Sequence, residues 1–411
     1  MRSKRLPNTA AALLIGGALL QTTACGGGTD HPADAAKTGA AAPVTVSAST
    51  GSDSTTAPGS GQPSKAAVSV QPADGAKDVA PNGSLKVSVS DGKLTKVTVT
   101  GPDGKPVDGA VGTDGSWTPA VPLAVSAKYR VSADAVDAAG AATTATSSFS
   151  TLTPRATNTV QDNLGVDGTY GVGMIIRVDF DKPVKDKKAA EQAIAVQASD
   201  GTPVRGHWFG DKRLDIRPEH YWKTGTKVTV HRRITGVELS PGVYGGSDVD
   251  ESFTVARSKI STVDAAAHLM KVEEDGFAPA AIKVTAGADL NPSWNGTMVV
   301  FEKLPMVHMD SATTDIKGDG YVDDEPHGLK ITGTGSYVHG NPRAVEAAGL
   351  RNISHGCIGL PDTEQGDPNS VAGKYWTDSM IGDVVIVHGS IGKPVAPDNG
   401  LSGWSLPWAQ W

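Results

Sequence analysis

The residues most able to do chemistry lie near the C-terminal end of the chain, in Asn352-Ile353-Ser354-His355-Gly356-Cys357-Ile358-Gly359-Leu360 and, upstream, in Tyr337-Val338-His339-Gly340. A thiol attacks a carbonyl as the thiolate, and a nearby imidazole both lowers its ordinary pKa of about 8.5 and carries the proton. Gly356 leaves the backbone open, so the amides of Gly356 and Cys357 can be aimed at a developing oxyanion. His355 stands two residues before Cys357, on the same side if the stretch is extended. His339 closes an apolar strand, the place for a base that must be held rigidly. Two other readings stay open on these residues: a zinc site built from His339, His355 and Cys357 with His388 as fourth ligand, and an inert buried thiol. Against zinc, the chain has no compact pair such as Cys-x-x-Cys or His-Glu-x-x-His.

The thiol needs a location that leaves it unpaired. The chain has two cysteines, Cys25 and Cys357. Arg2, Lys4 and Arg5 precede an apolar run from Ala10 to Leu20, too short to span a bilayer and typical of a secretory signal. Gln21-Thr22-Thr23-Ala24-Cys25 then resembles a bacterial lipobox, in which cleavage before the cysteine exposes it for lipidation; Thr22 departs from the usual Leu. Ordinary secretion without a lipid is the other outcome. Residues 26–65 are rich in Ala, Gly, Ser, Thr and Asp without apolar periodicity, a composition that cannot offset its ordering entropy. About 40 such residues span roughly 35 Å, so a flexible tether is expected. Cys25 in such a tether is a poor disulfide partner for Cys357.

The elements that must position the site are short strands. With 411 residues, 49 Gly, 26 Pro and 5% aromatics, the composition disfavours a helical bundle or a polytopic membrane protein. A net charge of -7 without a long basic run gives no support to nucleic-acid binding. Leu85, Val87 and Val89, then Leu94, Val97 and Val99, alternate on either side of Asp91-Gly92, and Tyr129–Ala133 alternates likewise. Met174–Phe180, Lys212–Ile216 and Lys227–Val230 repeat the habit, with Pro218, Tyr221 and Trp222 marking a turn. Two immunoglobulin-like β-sandwiches are expected, as spacers. His207, His220 and His231 are isolated there and read as scaffold.

From Lys259 onward, strands are expected at His268–Val272, Ala281–Thr285, Met298–Glu302 and Gly382–Gly389, with short helices at Ala344–Ala348 and Val371–Met380. Trp404, Trp408 and Trp411 end the chain at i, i+4 and i+7, a spacing that suits burial against the rest of the molecule rather than ligand binding.

His339, fourteen intervening positions and Ser354-His355-Gly356-Cys357 resemble the signature of the L,D-transpeptidase (YkuD-like) catalytic domain. Asn295-Gly296-Thr297 resembles that domain's early Pro-x-Gly-Thr turn, Tyr321 stands where actinobacterial members carry a lid tyrosine, and the Trp-rich tail is similar to theirs. The resemblance implies a mainly β protein laid out as a signal peptide at 1–24, a lipid-anchored tether at 25–65, immunoglobulin-like domains at 66–153 and 154–257, a β-rich catalytic domain with short helices at 258–391 and the tail at 392–411. It implies Cys357 as nucleophile, His339 as base oriented by a carbonyl near Gly340, and His355 shaping the electrostatics. Amides of Gly356 and Cys357 form the oxyanion hole, Tyr321 covers the donor, and Ser354 fixes the loop. Gly359 stands where the family usually has Asn or Arg, leaving donor contacts there without a polar side chain.

The implied reaction is peptidoglycan 3→3 cross-linking through a Cys357 thioester, with release of D-Ala from a tetrapeptide donor stem and no metal or organic cofactor. Its partners are donor and acceptor stem peptides, plus the membrane through the lipid on Cys25. No nucleic acid is expected, and a monomer is. The location is extracytoplasmic, on the outer face of the cell membrane and reaching into the wall. Three alternatives remain: a wall cysteine carboxypeptidase transferring to water, a non-catalytic wall-binding lipoprotein, and a zinc hydrolase.

Overall fold

The structure, a computed structural model, describes residues 63–314, 316–318 and 320–411. The segments expected to be a signal peptide and a tether, with Cys25, lie outside the described residues except for residues 63–65. Among the described residues, no helix is long and apolar enough to cross a membrane.

The first sandwich follows from period-two patterning. Lys128–Asp137 alternates, burying Tyr129, Val131, Ala133 and Ala135. It lies between Ala142–Thr151 and Gly92–Thr100 in a four-stranded sheet, facing a second sheet of Ala67–Gln71, Lys86–Ser90, Trp117–Pro119 and Gly109–Val111. In place of a disulfide, Leu85, Val87, Trp117 and Phe149 fill the space between the sheets. Tyr129 stacks on Phe149, and its hydroxyl accepts the Ala124 amide at 2.8 Å.

The second sandwich pairs a sheet of Val160–Asp162, Ile176–Phe180, Arg213–Pro218 and Val204–Phe209 with one of Gly168–Tyr170, Val249–Val255, Lys227–Arg232 and Ile194–Ala198. Trp222 is 2% exposed and donates its indole N–H to the Met174 carbonyl at 2.7 Å, so the expected turn aromatic is a core anchor. Its core runs on into Val299, Val384 and Leu401. Arg257 adds a charged link, reaching Asp383 at 3.0 Å and Glu274 at 3.1 Å. The second sandwich and the C-terminal unit are thus joined through both apolar packing and the partly buried ion pairs of Arg257.

That C-terminal unit has two sheets. One holds Ala280–Lys283, Leu269–Glu274, Lys259–Asp264, Val384–His388 and Gly296–Val299; the other holds Glu302–Asp310, Val322–Lys330, Tyr337–Asn341 and Ile358–Pro361. Met270, Met298, Leu329, Val338, Ile358 and Val385 pack together, and the helix Val371–Thr377 contributes Ala372 and Tyr375. The long strand Val322–Lys330 has no counterpart among the strands expected from the sequence; it forms by pairing with Glu302–Asp310.

The Trp-rich tail wraps in two 3-10 turns, Gly403–Ser405 and Trp408–Gln410. Trp404 donates to the Gly173 carbonyl at 2.7 Å and Trp411 to the Arg205 carbonyl at 2.8 Å, which fixes the tail on the second sandwich. Ser405 Oγ accepts the Thr297 amide at 2.9 Å, tying the same tail to the C-terminal unit.

Candidate active site

The strand Tyr337–Asn341 is buried along its whole length. On one side it pairs antiparallel with Val322–Lys330; on the other it pairs parallel with Ile358–Pro361, with Val338 opposite Ile358 and His339 opposite Gly359. This parallel register brings Cys357, just before its strand, level with the residues that precede His339. A cleft of about 200 Å³ opens there, lined by Met309, Tyr321, Glu325, His339, His355 and Cys357 among others.

Cys357 is a free, buried thiol packed with Val307, Met309 and Tyr337. The turn before it has the backbone its sequence demands, since Gly356 sits at φ +118, a conformation that L side chains rarely adopt. Ser354 is buried and donates its hydroxyl to the Cys357 carbonyl at 2.6 Å, while its oxygen accepts the Gly356 amide at 3.2 Å. The Gly356 amide is therefore engaged within the loop.

His339 is 3% exposed and donates from Nδ1 to the Gly340 carbonyl at 2.7 Å. Because a carbonyl only accepts, Nδ1 carries hydrogen and Nε2 is the nitrogen left to exchange protons. Burial alone pushes His339 down. The adjacent sulfur of Cys357 and the carboxylate of Glu325 outweigh it and raise the pKa from 6.5 to about 10. The ring is accordingly an imidazolium at neutral pH. A buried cation beside a thiol, with its ring orientation fixed, can support sulfur attack and then protonate a leaving amine.

His355 is exposed, and the stretch from His355 to Cys357 is bent rather than extended, so the two side chains are not arranged as an extended segment would place them. Its imidazole stacks on Tyr321 at 4.6 Å. Gly359 does not line the cleft. It is held in the ladder by Thr285, with N–H···O bonds of 3.0 and 2.8 Å. Gly340 backs onto Asp362, whose Oδ2 a Cβ would meet at 2.2 Å. His388 is exposed at the end of its strand opposite Asp264, and among the described residues no group of three His, Cys, Asp or Glu is arranged to hold a metal ion.

Glu325 is not legible as a site residue in the sequence. It sits in Asp323-Asp324-Glu325-Pro326, which reads as an exposed acidic turn, yet it is 5% exposed and faces His339. Nor is Asn291, whose side chain accepts the Lys317 amide and donates to the Lys317 carbonyl, both at 2.8 Å, holding the segment that leads to Tyr321.

Immunoglobulin-like sandwiches ahead of a β-rich unit, in which a buried histidine is set against a free thiol, define the class: a mainly β protein with a candidate thiol–histidine site. Comparison with known proteins narrows the class. The family model described as a bacterial Ig domain matches residues 76–238, from the first sandwich into the second. L,D-transpeptidase 2 of Mycobacterium tuberculosis (strain CDC 1551 / Oshkosh) is 31% identical over 344 residues, covering 82% of this chain and 82% of the relative. L,D-transpeptidase 5 of Mycobacterium tuberculosis (strain ATCC 25618 / H37Rv) is 30% identical over 351 residues, 83% of this chain and 75% of the relative. A crystal structure of L,D-transpeptidase 3 from Mycobacterium tuberculosis in complex with a faropenem-derived adduct is 25% identical, covers 56% of this chain and 97% of that one, and gives a TM-score of 0.44. The chain belongs to the L,D-transpeptidase family and is an acyltransferase.

Proposed function

We propose that the enzyme forms 3→3 cross-links in peptidoglycan through a thioester on Cys357. The observation that carries the reading is the His339 ring, buried against the Cys357 sulfur with Nδ1 committed to the Gly340 carbonyl at 2.7 Å. The Cys357 thiolate attacks the carbonyl at the third residue of a tetrapeptide stem, and the C–S bond forms. With the Gly356 amide bonded to Ser354, the Cys357 amide is the main oxyanion donor. His339 protonates the departing amine, D-Ala leaves, and the thioester remains. The amine of a neighbouring stem then attacks, loses its proton to His339 and releases Cys357. The scheme uses neither metal nor organic cofactor. Tyr321 and His355 cover the bound donor, and Cys25 carries a lipid that anchors the monomeric enzyme outside the cytoplasmic membrane within reach of the wall.

Intact-protein mass spectrometry after incubation with a tetrapeptide donor tests this. The expected result is a mass gain equal to the donor less D-Ala, confined to the peptide containing Cys357 and absent from Cys357→Ala. Carbapenems are expected to label the same peptide. Adduct formation elsewhere, or full turnover by Cys357→Ala or His339→Ala, overturns the mechanism. A thioester that only water resolves identifies a carboxypeptidase.

A further inference from the structure

Glu325 approaches His339 from the strand Val322–Lys330. Its Oε2 lies 3.5 Å from His339 Nδ1, the side chain is 6% exposed, and Oε2 has no hydrogen-bond partner among the described residues. Its Oε1 is 3.7 Å from Arg343 Nη1, but Arg343 is exposed and is engaged more closely by Asp323 at 2.9 Å. A carboxylate held out of water without a close hydrogen-bond donor is costly, so its place beside the histidine calls for a function. The other charged or titratable groups around His339 are accounted for. Cys357 precedes the neighbouring strand, Tyr321 and His355 stack on each other over the cleft, and Asp362 beneath Gly340 is bonded to His327 at 2.6 Å.

We propose that Glu325 is a positioning residue that keeps His339 an effective base after Cys357 has been acylated. The charges beside His339 change through the two half-reactions, on the Cys357–His339 reading of the site, on which this proposal rests. In the free enzyme, both the sulfur and Glu325 hold the imidazolium against burial. In the first half-reaction the C–S bond forms, the amide C–N bond breaks, and the His339 proton leaves with the D-Ala amine. Sulfur is then a neutral thioester and His339 is neutral. In the second half-reaction the acceptor nitrogen bonds to the carbonyl carbon, the C–S bond breaks to return the thiolate, and the nitrogen's proton must pass to His339. Until the thiolate returns, the anion left beside His339 is Glu325. A neutral side chain there leaves a base whose protonated form is opposed by burial with no anion to offset it. Glu325 therefore matters more for transfer than for acylation.

Two measurements test this separately from the thioester mechanism. In Cys357→Ser, where the residue is neutral as in the acyl-enzyme, the His339 imidazole titration followed by NMR on labelled histidine is expected to stay well above the ordinary histidine range; in Cys357→Ser with Glu325→Gln it is expected to fall markedly. Coincident titrations in the two proteins overturn the proposal. Second, thioester decay is followed by intact mass after adding acceptor amine between pH 6 and 10. Glu325→Gln is expected to slow transfer about tenfold or more while donor acylation changes less than about threefold, and the pH at which transfer falls off moves. Glu325→Asp, which keeps the charge at longer reach, is expected to recover part of the transfer rate; a rate no better than that of Glu325→Gln overturns the electrostatic role. If the wild type forms no thioester, the proposed function falls, and the imidazole titration still decides what Glu325 does.

Discussion

The phenol ring of Tyr321 lies on the imidazole of His355, centroids 4.6 Å apart and planes 22° from parallel, over the cleft that contains Cys357. Ser311 pins the tyrosine's backbone, its hydroxyl accepting the Tyr321 amide at 2.8 Å and its own amide donating to the Tyr321 carbonyl at 3.0 Å. Burial, helped by the negative charges of Cys357, Glu325 and Asp323, pushes the phenol up to about 12, so it stays protonated through the working pH range. The ring face is then what the site uses. Tyr321→Phe is expected to retain donor KM and kcat within about twofold, with an unchanged pH profile. Tyr321→Ala is expected to raise donor KM about three- to tenfold, the range of a lost aromatic contact. Steady-state kinetics with a tetrapeptide donor reads both, and a large kcat loss in Tyr321→Phe would instead give the hydroxyl a chemical role.

At Gly359 a Cβ would fall 2.9 Å from Thr285 Cγ2 and 3.3 Å from Asn341 Cβ. Inserting the asparagine usual in the family should therefore overpack the ladder, and Gly359→Asn is expected to cost about 1–3 kcal/mol. Thr285→Ser removes the obstructing methyl but keeps the hydroxyl, which donates to the Arg351 carbonyl at 2.9 Å and accepts the Ile353 amide at 3.0 Å. The double variant should thus be more stable than the sum of the single effects. Denaturant midpoints for the four proteins of this cycle provide the check, and strict additivity would show that the Thr285 methyl is not the obstacle.

These two sites show what the sequence could and could not convey. Cys357 and His339 stand out because each sits in a local pattern, a Gly-bracketed turn and the end of an apolar strand, whose chemistry needs no distant information. The sandwich strands stand out for the same reason, through alternation such as Tyr129 to Ala133. Glu325 does not, because its burial depends on pairing Val322–Lys330 with Glu302–Asp310, and a run of three acids before a proline argues locally for solvent. The crowding at Gly359 is equally nonlocal, arising from Thr285, 74 positions earlier in the chain. The bend at His355 escapes a periodicity argument because it comes from Gly356 at φ +118.

His339 also makes stability depend on pH. Its folded-state pKa of about 10 lies above the ordinary 6.5, so the folded protein binds this proton more tightly than the unfolded chain does. The resulting stabilisation is fully present below about pH 6.5 and is lost as pH rises through about 10. Replacing the ring by the uncharged His339→Gln removes that dependence. The stability of wild type relative to His339→Gln is therefore expected to decline steadily between pH 7 and pH 10, read from urea midpoints at several pH values. A difference that stays flat or grows with pH over that window would mean that the folded protein does not hold the imidazolium.

Arg217 makes the attachment of the tail testable in the same terms. It is 2% exposed, and its guanidinium lies 4.2 Å from the Trp411 ring centroid, 4.5 Å from that of Trp404 and 5.3 Å from that of Trp408. Burial, then the charge of Arg205, lowers its pKa to about 10, which still leaves it charged at neutral pH. Nη2 donates to the Leu406 carbonyl at 2.9 Å and Nη1 to the Pro218 carbonyl at 3.0 Å, so one planar group supports both the indole contacts and the tail backbone. Lysine cannot spread donors and a flat face in this way. Arg217→Lys and Arg217→Ala are therefore both expected to loosen the tail, with Arg217→Ala costing at least about 2 kcal/mol from lost cation–π and hydrogen-bond contacts. Tryptophan emission should shift to the red, and limited proteolysis should cut after residue 400 before the rest of the chain unfolds. Because Ser405 Oγ also accepts the Thr297 amide at 2.9 Å, on a strand of the C-terminal unit, tail release should lower transpeptidation as well. An Arg217→Ala protein with wild-type emission and protease resistance would show that the indole N–H bonds to Gly173 and Arg205 hold the tail without the cation.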